Sequence, residues 1–344
     1  MTQFESIYLF EHLYQSYLKS RHGKCLKYTI AKFEINAVEN LLKLSNDVKN
    51  HTYTMADYNT FTVYEPKERI IMSNAFRDKI LQRSLCDYVL NPSIFPHLIY
   101  DNYASQQNKG THFGLNRLCG FLHSYYRKYG SEGWILKADI SKYFYCIRHD
   151  KLKEQLLRYV SDDDVLWLLN LIIDSTDGIG VPIGNQTSQT FAVLYLNDLD
   201  HLIKDQMGFK YYGRYMDDFY IIHHDKTVLQ NTLRIIEKKL NDLGLNLNHK
   251  TQILPLRNGI DFLGFHTYLT DSGKVIRKIR RRSKNNMRRK IKKMSRLYKD
   301  GKIDKESIIK SYQSWRSHAS HGNSHHLIQN MDSEINKIIN NQQE

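Results

Sequence analysis

The fold turns on the stretch Tyr211-Tyr212-Gly213-Arg214-Tyr215-Met216-Asp217-Asp218-Phe219-Tyr220-Ile221-Ile222-His223. Apolar and aromatic residues flank two adjacent aspartates, a pattern that predicts a β-hairpin with Asp217 and Asp218 at its tip. Neighbouring acids repel one another and favour any cation that relieves them. Taken alone, the stretch reads equally well as an exposed acidic turn, because aspartate suits turns for backbone reasons. A third carboxylate separates these readings. Trp134-Ile135-Leu136-Lys137-Ala138-Asp139-Ile140 predicts a short apolar strand carrying Asp139 at its end, where an unpaired acid is costly to bury. If that strand lies beside the hairpin, three carboxylates converge at one end of a sheet.

Hard oxygen ligands of this kind suit Mg²⁺, which keeps several waters and takes substrate phosphates as its remaining ligands. Two such ions, with Mn²⁺ able to substitute, would clamp the attacking 3′-oxygen and the leaving pyrophosphate of an in-line displacement. Asp139, Asp217 and Asp218 are therefore the candidate catalytic residues, and with Ile140 they make up the candidate metal site. The chemistry they suggest is nucleotidyl transfer of the polymerase type.

Outward from this centre the two periods alternate. Phe4, Ile7, Tyr8, Phe10, Leu13, Tyr14 and Tyr17 have helical spacing, as do Ile35, Val38, Leu41, Leu42 and Val48. Thr60–Tyr64 and Arg69–Met72 flank Glu65-Pro66-Lys67-Glu68 and predict a hairpin. Phe76 to Leu90 predicts a helix that stops before Pro92. Helices are also expected over 151–170, from about Thr187 with Phe191, Leu194, Tyr195, Leu199 and Leu202 on one face, and over 226–243. Hairpins mixed with helices in this order, without regular βαβ units, give an α+β fold.

Beyond Phe265 the character changes. Of the 50 Lys and Arg residues, 12 fall within the 20 positions Lys274–Lys293, which contain no acid. The whole chain carries +14, but the remainder, with 38 basic against 36 acidic residues, carries only +2. Charge so localised is either a solvated helix face or a surface that tracks phosphates. Met287, Ile291, Met294 and Leu297 give the basic segment an apolar side, Gly301 predicts its stop, and Asp304 predicts the cap of a second helix bearing Ile308, Ile309, Tyr312 and Trp315.

Hydrophobic residues make up 41% of the 344 and charged residues 25%, an ordinary globular balance. No run approaches about eighteen apolar residues and no charged-then-apolar leader opens the chain, which argues for a cytoplasmic protein with no membrane partner. Cys25, Cys86, Cys119 and Cys146 lack CxxC spacing and read as reduced, mostly packed thiols. His318, His321, His325 and His326 have no Cys or acid at ligand spacing, so surface or RNA-contacting histidines are expected rather than a metal centre.

Five ordered blocks resemble the reverse transcriptase family: Lys137–Phe144, Val181–Gln189, Tyr215–Asp218, Leu243-Gly244-Leu245 and Asp261–Phe265. The resemblance spans nearly the whole chain. It implies a right-hand polymerase fold, with N-terminal helices, fingers and the start of the palm over 1–130, the palm with its catalytic carboxylates over 131–270 and a basic helical thumb over 271–344. It further implies that Asp139 and Asp217 are the direct metal ligands and Asp218 an electrostatic supporter. Phe144 falls at the family's steric gate, where an aromatic ring crowds a ribose 2′-hydroxyl; a packed core Phe is the alternative. Ile140, Ile183, Gly184, Lys67 and Arg69 would join Phe144 in binding the nucleotide. Lys109, Gln189, Tyr215, Met216, Arg281, Lys284, Arg288 and Lys292 would meet template and primer.

Within that family the chain is similar to bacterial diversity-generating retroelement enzymes, through Pro182–Gln189, Tyr64-Glu65-Pro66-Lys67, Lys109-Gly110-Thr111-His112 and Ser314–Ala319. Group II intron and retroviral enzymes carry Gln where this chain has Ile183. The similarity implies error-prone copying of a dedicated RNA into cDNA, with deoxynucleoside triphosphates as substrates, an RNA–DNA duplex as product and a basic accessory protein as partner. One departure is Gln106, where relatives usually carry Arg. It leaves open a phage-defence enzyme that copies a noncoding RNA encoded nearby, or one that adds nucleotides without a template. A scaffold that binds RNA and has lost catalysis is the alternative outside the enzymes.

Overall fold

The computed structural model describes residues 1–64 and 68–340. The predicted turn residues Glu65, Pro66 and Lys67 lie outside the described residues, so the nucleotide-binding expectation for Lys67 has no structural counterpart. The chain packs as two compact units. One comprises Met1–Gln107, Asp139–Lys210 and Leu233–Lys250; the other comprises Asn108–Ala138, Tyr211–Thr232 and Thr251–Glu344.

The first unit is mainly helical. The N-terminal periodicity resolves into two helices, Gln3–Tyr8 and Phe10–Arg21, because Leu9 takes extended geometry (ψ 130°) between them. Phe4, Ile7, Leu13 and Tyr17 are buried as the spacing requires, whereas Tyr14 is exposed. The next amphipathic helix, Ala37–Lys49, starts after Ile35 and buries Leu41, Leu44 and Val48. Ile35, Val38 and Leu42, expected on its inner face, are exposed. The expected stop before Pro92 is not observed. Helix Phe76–Leu85 widens into a π-turn at Cys86–Leu90 and continues as Asn91–Ile94, with Pro92 in the first turn of that last segment. Proline supplies no N–H to a regular helix ladder, and the ladder is widened just before it. Cys86 is buried in this passage, and burial pushes its thiol up to about 12. The helical region after residue 150 is likewise two helices, His149–Leu156 and Asp163–Ile173, the second capped by Asp162.

The same unit contains a two-stranded ribbon, β1 (Asn59–Val63) and β2 (Arg69–Ser73), paired antiparallel from Asn59↔Ser73 to Val63↔Arg69. Helix Gln186–Tyr195 is buried on almost every side. Its inward hydroxyls find partners: Thr187 Oγ1 donates to Gln82 Oε1 and Thr190 Oγ1 to Asn91 Oδ1.

The second unit is built on a four-stranded sheet in the order β4-β5-β3-β6, from β3 (Trp134–Asp139), β4 (Tyr212–Tyr215), β5 (Asp218–His223) and β6 (Gln252–Pro255). A three-stranded antiparallel sheet follows, from β7 (Ile260–Phe262), β8 (Phe265–Leu269) and β9 (Val275–Ile279). Helix Thr111–Tyr129 packs on β4, where Phe121 and Tyr125 meet the Tyr211 ring edge-on.

Three helices close the chain: Arg281–Lys299, Lys305–Ala319 and His325–Asn340. The first two match the sequence expectation, and Asp304 Oδ1 accepts from Ser307 N as the predicted cap. The third was not foreseen, yet it supplies Met331 and Ile335 to a core shared with Met287, Ile291, Ile308 and Tyr312. Leu297 is only half-buried, and Tyr298 packs on this core in its place.

Candidate active site

The predicted hairpin is present, and its loop is as short as hairpin loops become. Tyr215 pairs with Asp218, so Met216 and Asp217 alone make the turn. Met216 takes φ 54°, a conformation that hairpins usually give to Gly, Asn or Asp. A bulky L-residue there costs about 1–2 kcal/mol, which neighbouring structure must offset. Two basic side chains hold the turn. Arg214, in β4, is completely buried and its Nη1 donates to the Met216 carbonyl at 2.9 Å. Lys137, in β3, forms an ion pair with Asp218 at the start of β5, and its ammonium lies 5.3 Å from the centre of the Phe262 ring. The sequence reading missed both. Arg214 in particular is a charged residue inside an otherwise apolar strand, and a charge almost never goes to such a place without a partner.

Strand β3 neighbours β5 in the sheet and ends on Asp139, two residues after Lys137. Beyond it the chain is fastened within the first unit: Asn248 N donates to the Asp139 carbonyl, Ile140 bridges to Leu247, and Ser141 N donates to the Asn246 carbonyl. Ile140 itself is buried. Helix Tyr143–Cys146 follows. Tyr143 is its core aromatic, buried with its hydroxyl donating to the Ala192 carbonyl, whereas Phe144 is only half-buried. The Phe144 ring meets that of Tyr143 edge-on. The Phe144 carbonyl accepts from Val181 N, which ties this helix to the loop that begins the second block.

That loop touches the ribbon. Met72 N donates to the Ile183 carbonyl, and Gly184 sits at φ 132° with Met72 O only 2.8 Å from where a Cβ would stand. Glycine is required twice over, by conformation and by space. Gln189 is exposed and accepts from Ser105 Oγ. Gln106, the departure from the family pattern, donates to the Asn102 carbonyl at 2.8 Å and so serves its own loop.

The remaining expected contacts lie at surfaces. Arg69 is exposed in β2. Lys109 is half-exposed, with its ammonium 5.9 Å from the centre of the Phe113 ring. On helix Arg281–Lys299, Arg281 and Lys292 are exposed, whereas Lys284 and Arg288 are half-buried. Arg289, Lys293 and Arg296 are exposed as well and, with Lys292, line one side of the helix. Of the histidines, His318 and His321 meet His112, whose ring stacks on His321 at 3.6 Å. Burial, then His321 and Arg277, hold His112 below the usual histidine range.

Among the described residues no group of three or more His, Cys, Asp or Glu side chains is gathered as a ready-made metal site. Of the carboxylates in this stretch, Asp218 is paired with Lys137. The donor chemistry still fits a hard divalent cation. Asp139 and Asp217 are half-exposed carboxylates at a strand end and a turn, and such cations complete their shell with water and phosphate oxygens.

Residues 64–267 match the family model described as reverse transcriptase (RNA-dependent DNA polymerase). The chain belongs to the reverse transcriptase family, and its α+β architecture is that of the family's right-hand polymerase fold. No curated protein sequence matches it. Among solved structures it is similar to apo telomerase from Candida tropicalis, at 14% identity and TM-score 0.47, over 70% of this chain and 52% of that one. The same enzyme truncated from its C-terminal domain gives 15% identity and TM-score 0.49, over 70% and 60%. Telomerase from Candida albicans in complex with a TWJ fragment of telomeric RNA gives 12% and 0.47, over 76% and 55%. The chain thus spans roughly half to three-fifths of the length of these telomerases.

Proposed function

We propose that this protein is an RNA-directed DNA polymerase that copies a dedicated RNA into cDNA, with Asp139 and Asp217 as ligands of catalytic Mg²⁺. The observation that carries the proposal is the two-residue turn bearing Asp217, braced by Arg214 and Lys137 in a sheet whose neighbouring strand ends on Asp139. Asp218, engaged by Lys137, supports the site electrostatically rather than by direct ligation. The bound metal would lower the pKa of the primer 3′-hydroxyl and offset charge on the transferred phosphorus. The Ile140 main chain borders that site, and Phe144 crowds the 2′-position so that deoxynucleotides are selected.

Fingers over 1–130, palm over 131–270 and thumb over 271–344 are the working division. The exposed Arg69 meets the incoming triphosphate. Arg281, Lys284, Arg288 and Lys292 on the basic helix meet the RNA–DNA duplex, with Lys109, Gln189, Tyr215 and Met216 along template and primer. Ile183 offers no side-chain hydrogen bond near the nascent base pair, which favours the error-prone synthesis of diversity-generating retroelements. A noncoding RNA encoded nearby, a basic accessory protein and a cytoplasmic setting complete the proposal. Among the described residues no helix is long and apolar enough to cross a membrane.

The test is cDNA synthesis by purified protein on its flanking RNA and on generic primed RNA, beside Asp217→Asn. Product that requires Mg²⁺ and Asp217 is the expected result. Tight RNA binding with no product on any template would replace the polymerase with a scaffold.

A further inference from the structure

Arg214 is among the largest wholly buried side chains of the protein, yet it carries a permanent charge and sits one residue before the Tyr215–Asp218 hairpin closure. Its Nη1 reaches forward to the Met216 carbonyl, the peptide oxygen immediately preceding Asp217. Met216 is also the residue held in the left-handed conformation. The hydrogen bond therefore fastens the single peptide whose rotation would swing Asp217. A methionine does not hold this conformation by intrinsic preference, whereas a glycine does.

We propose that Arg214 is a positioning residue: it locks the Met216–Asp217 peptide and thereby fixes where the Asp217 carboxylate meets the catalytic metal. The inference rests on the assignment of Asp217 as a metal ligand. It requires that the strand geometry around Arg214 survive when the turn is loosened, which the apolar neighbours Tyr212, Phe219 and Ile221 provide. Because the guanidinium acts on the main chain, its loss is repaired by a residue that takes the left-handed turn unaided. Simple loss of core packing is not repaired in that way.

The experiment is titration of Mn²⁺ into the full-length protein, with free Mn²⁺ read by electron paramagnetic resonance. The proteins compared are the parent, Arg214→Met, Arg214→Lys, Met216→Gly, Arg214→Met/Met216→Gly and Asp217→Asn, each checked for folding by circular dichroism. Arg214→Met is expected to weaken Mn²⁺ binding by about 10–100-fold, as loss of a group that orients a metal ligand does. It should also lower kcat far more than it raises KM for the nucleotide. Arg214→Lys, which keeps a donor, should fall between the two, and the double variant should regain part of the affinity. Folded Arg214→Met with parental Mn²⁺ affinity would overturn the proposal, as would a double variant no better than Arg214→Met. Should Arg214→Met fail to fold, Arg214→Lys carries the same test, and its binding Mn²⁺ as the parent does while kcat is also unchanged would overturn it. Parental affinity in Asp217→Asn would instead remove the metal assignment itself.

Discussion

The protein contains two antiparallel hairpins of nearly equal length with opposite physical characters. In β4–β5 nearly every strand residue is buried, including Tyr212, Phe219, Tyr220 and Ile221, and the loop has two residues. In β1–β2 the side chains face solvent on both sides, with Phe61 47% and Ile70 49% exposed. An isolated two-stranded ribbon is marginal in water, so β1–β2 depends on its fastening, where Met72 meets Ile183 and Gly184. One hairpin has its shape imposed by a core and holds a carboxylate in place. The other keeps its surface available and is fastened through β2, at Met72 and by the Tyr145 hydroxyl donating to the Ile70 carbonyl. On the proposed function, the first kind suits a carboxylate that holds a metal ion and the second a surface that meets a substrate.

The contrast breaks most visibly at matched aromatic positions. Phe219→Ala should cost about 3–5 kcal/mol of stability, as other large-to-small changes in full cores do. Phe61→Ala should stay within about 0.5 kcal/mol, the range of surface substitutions. Urea unfolding of both variants measures this, and equal losses would mean the ribbon is packed as firmly as the buried hairpin. Next in size is the ribbon's fastening. Gly184→Val meets a conformation nearly restricted to glycine, costing about 1–3 kcal/mol, and also a carbonyl at 2.8 Å. Limited proteolysis should then cut β1–β2 while leaving β4–β5 intact. The smallest effect concerns the exposed face itself. Arg69→Ala should leave the melting temperature unchanged and raise KM for the nucleotide by about fivefold, corresponding to about 1 kcal/mol for an exposed charge contact. A fall in melting temperature instead would place Arg69 in the structure of the ribbon rather than on its working surface.

Much of this was legible in the sequence because it was written in periodicity and turn chemistry. The hairpin at Tyr211–His223, the strand ending on Asp139 and the cap at Asp304 all declare themselves through local residue pattern. What stayed hidden depends on partners remote in sequence. Arg214 and Lys137 look like any basic residue in a strand until the sheet brings Lys137 to Asp218 and the turn brings Arg214 to the Met216 carbonyl. The break at Leu9 leaves the helical spacing of Phe4 to Tyr17 intact, so period alone does not reveal it. The last helix was masked by its Asn- and Gln-rich composition, although Ile328, Met331 and Ile335 already stood at helical spacing. Gln106 is the opposite case, since the carbonyl it serves, that of Asn102, lies within its own loop.

The Lys137–Asp218 pair has a consequence for the order of events in this protein's life. Acids crowded at the end of a sheet would ordinarily make folding wait for the counter-charge that quiets them. Here one such counter-charge is covalently part of the neighbouring strand and arrives with the backbone. This part of the sheet can therefore reach its final shape with the Asp218 charge already answered. On the proposed function, assembly then comes before metal binding and does not depend on it.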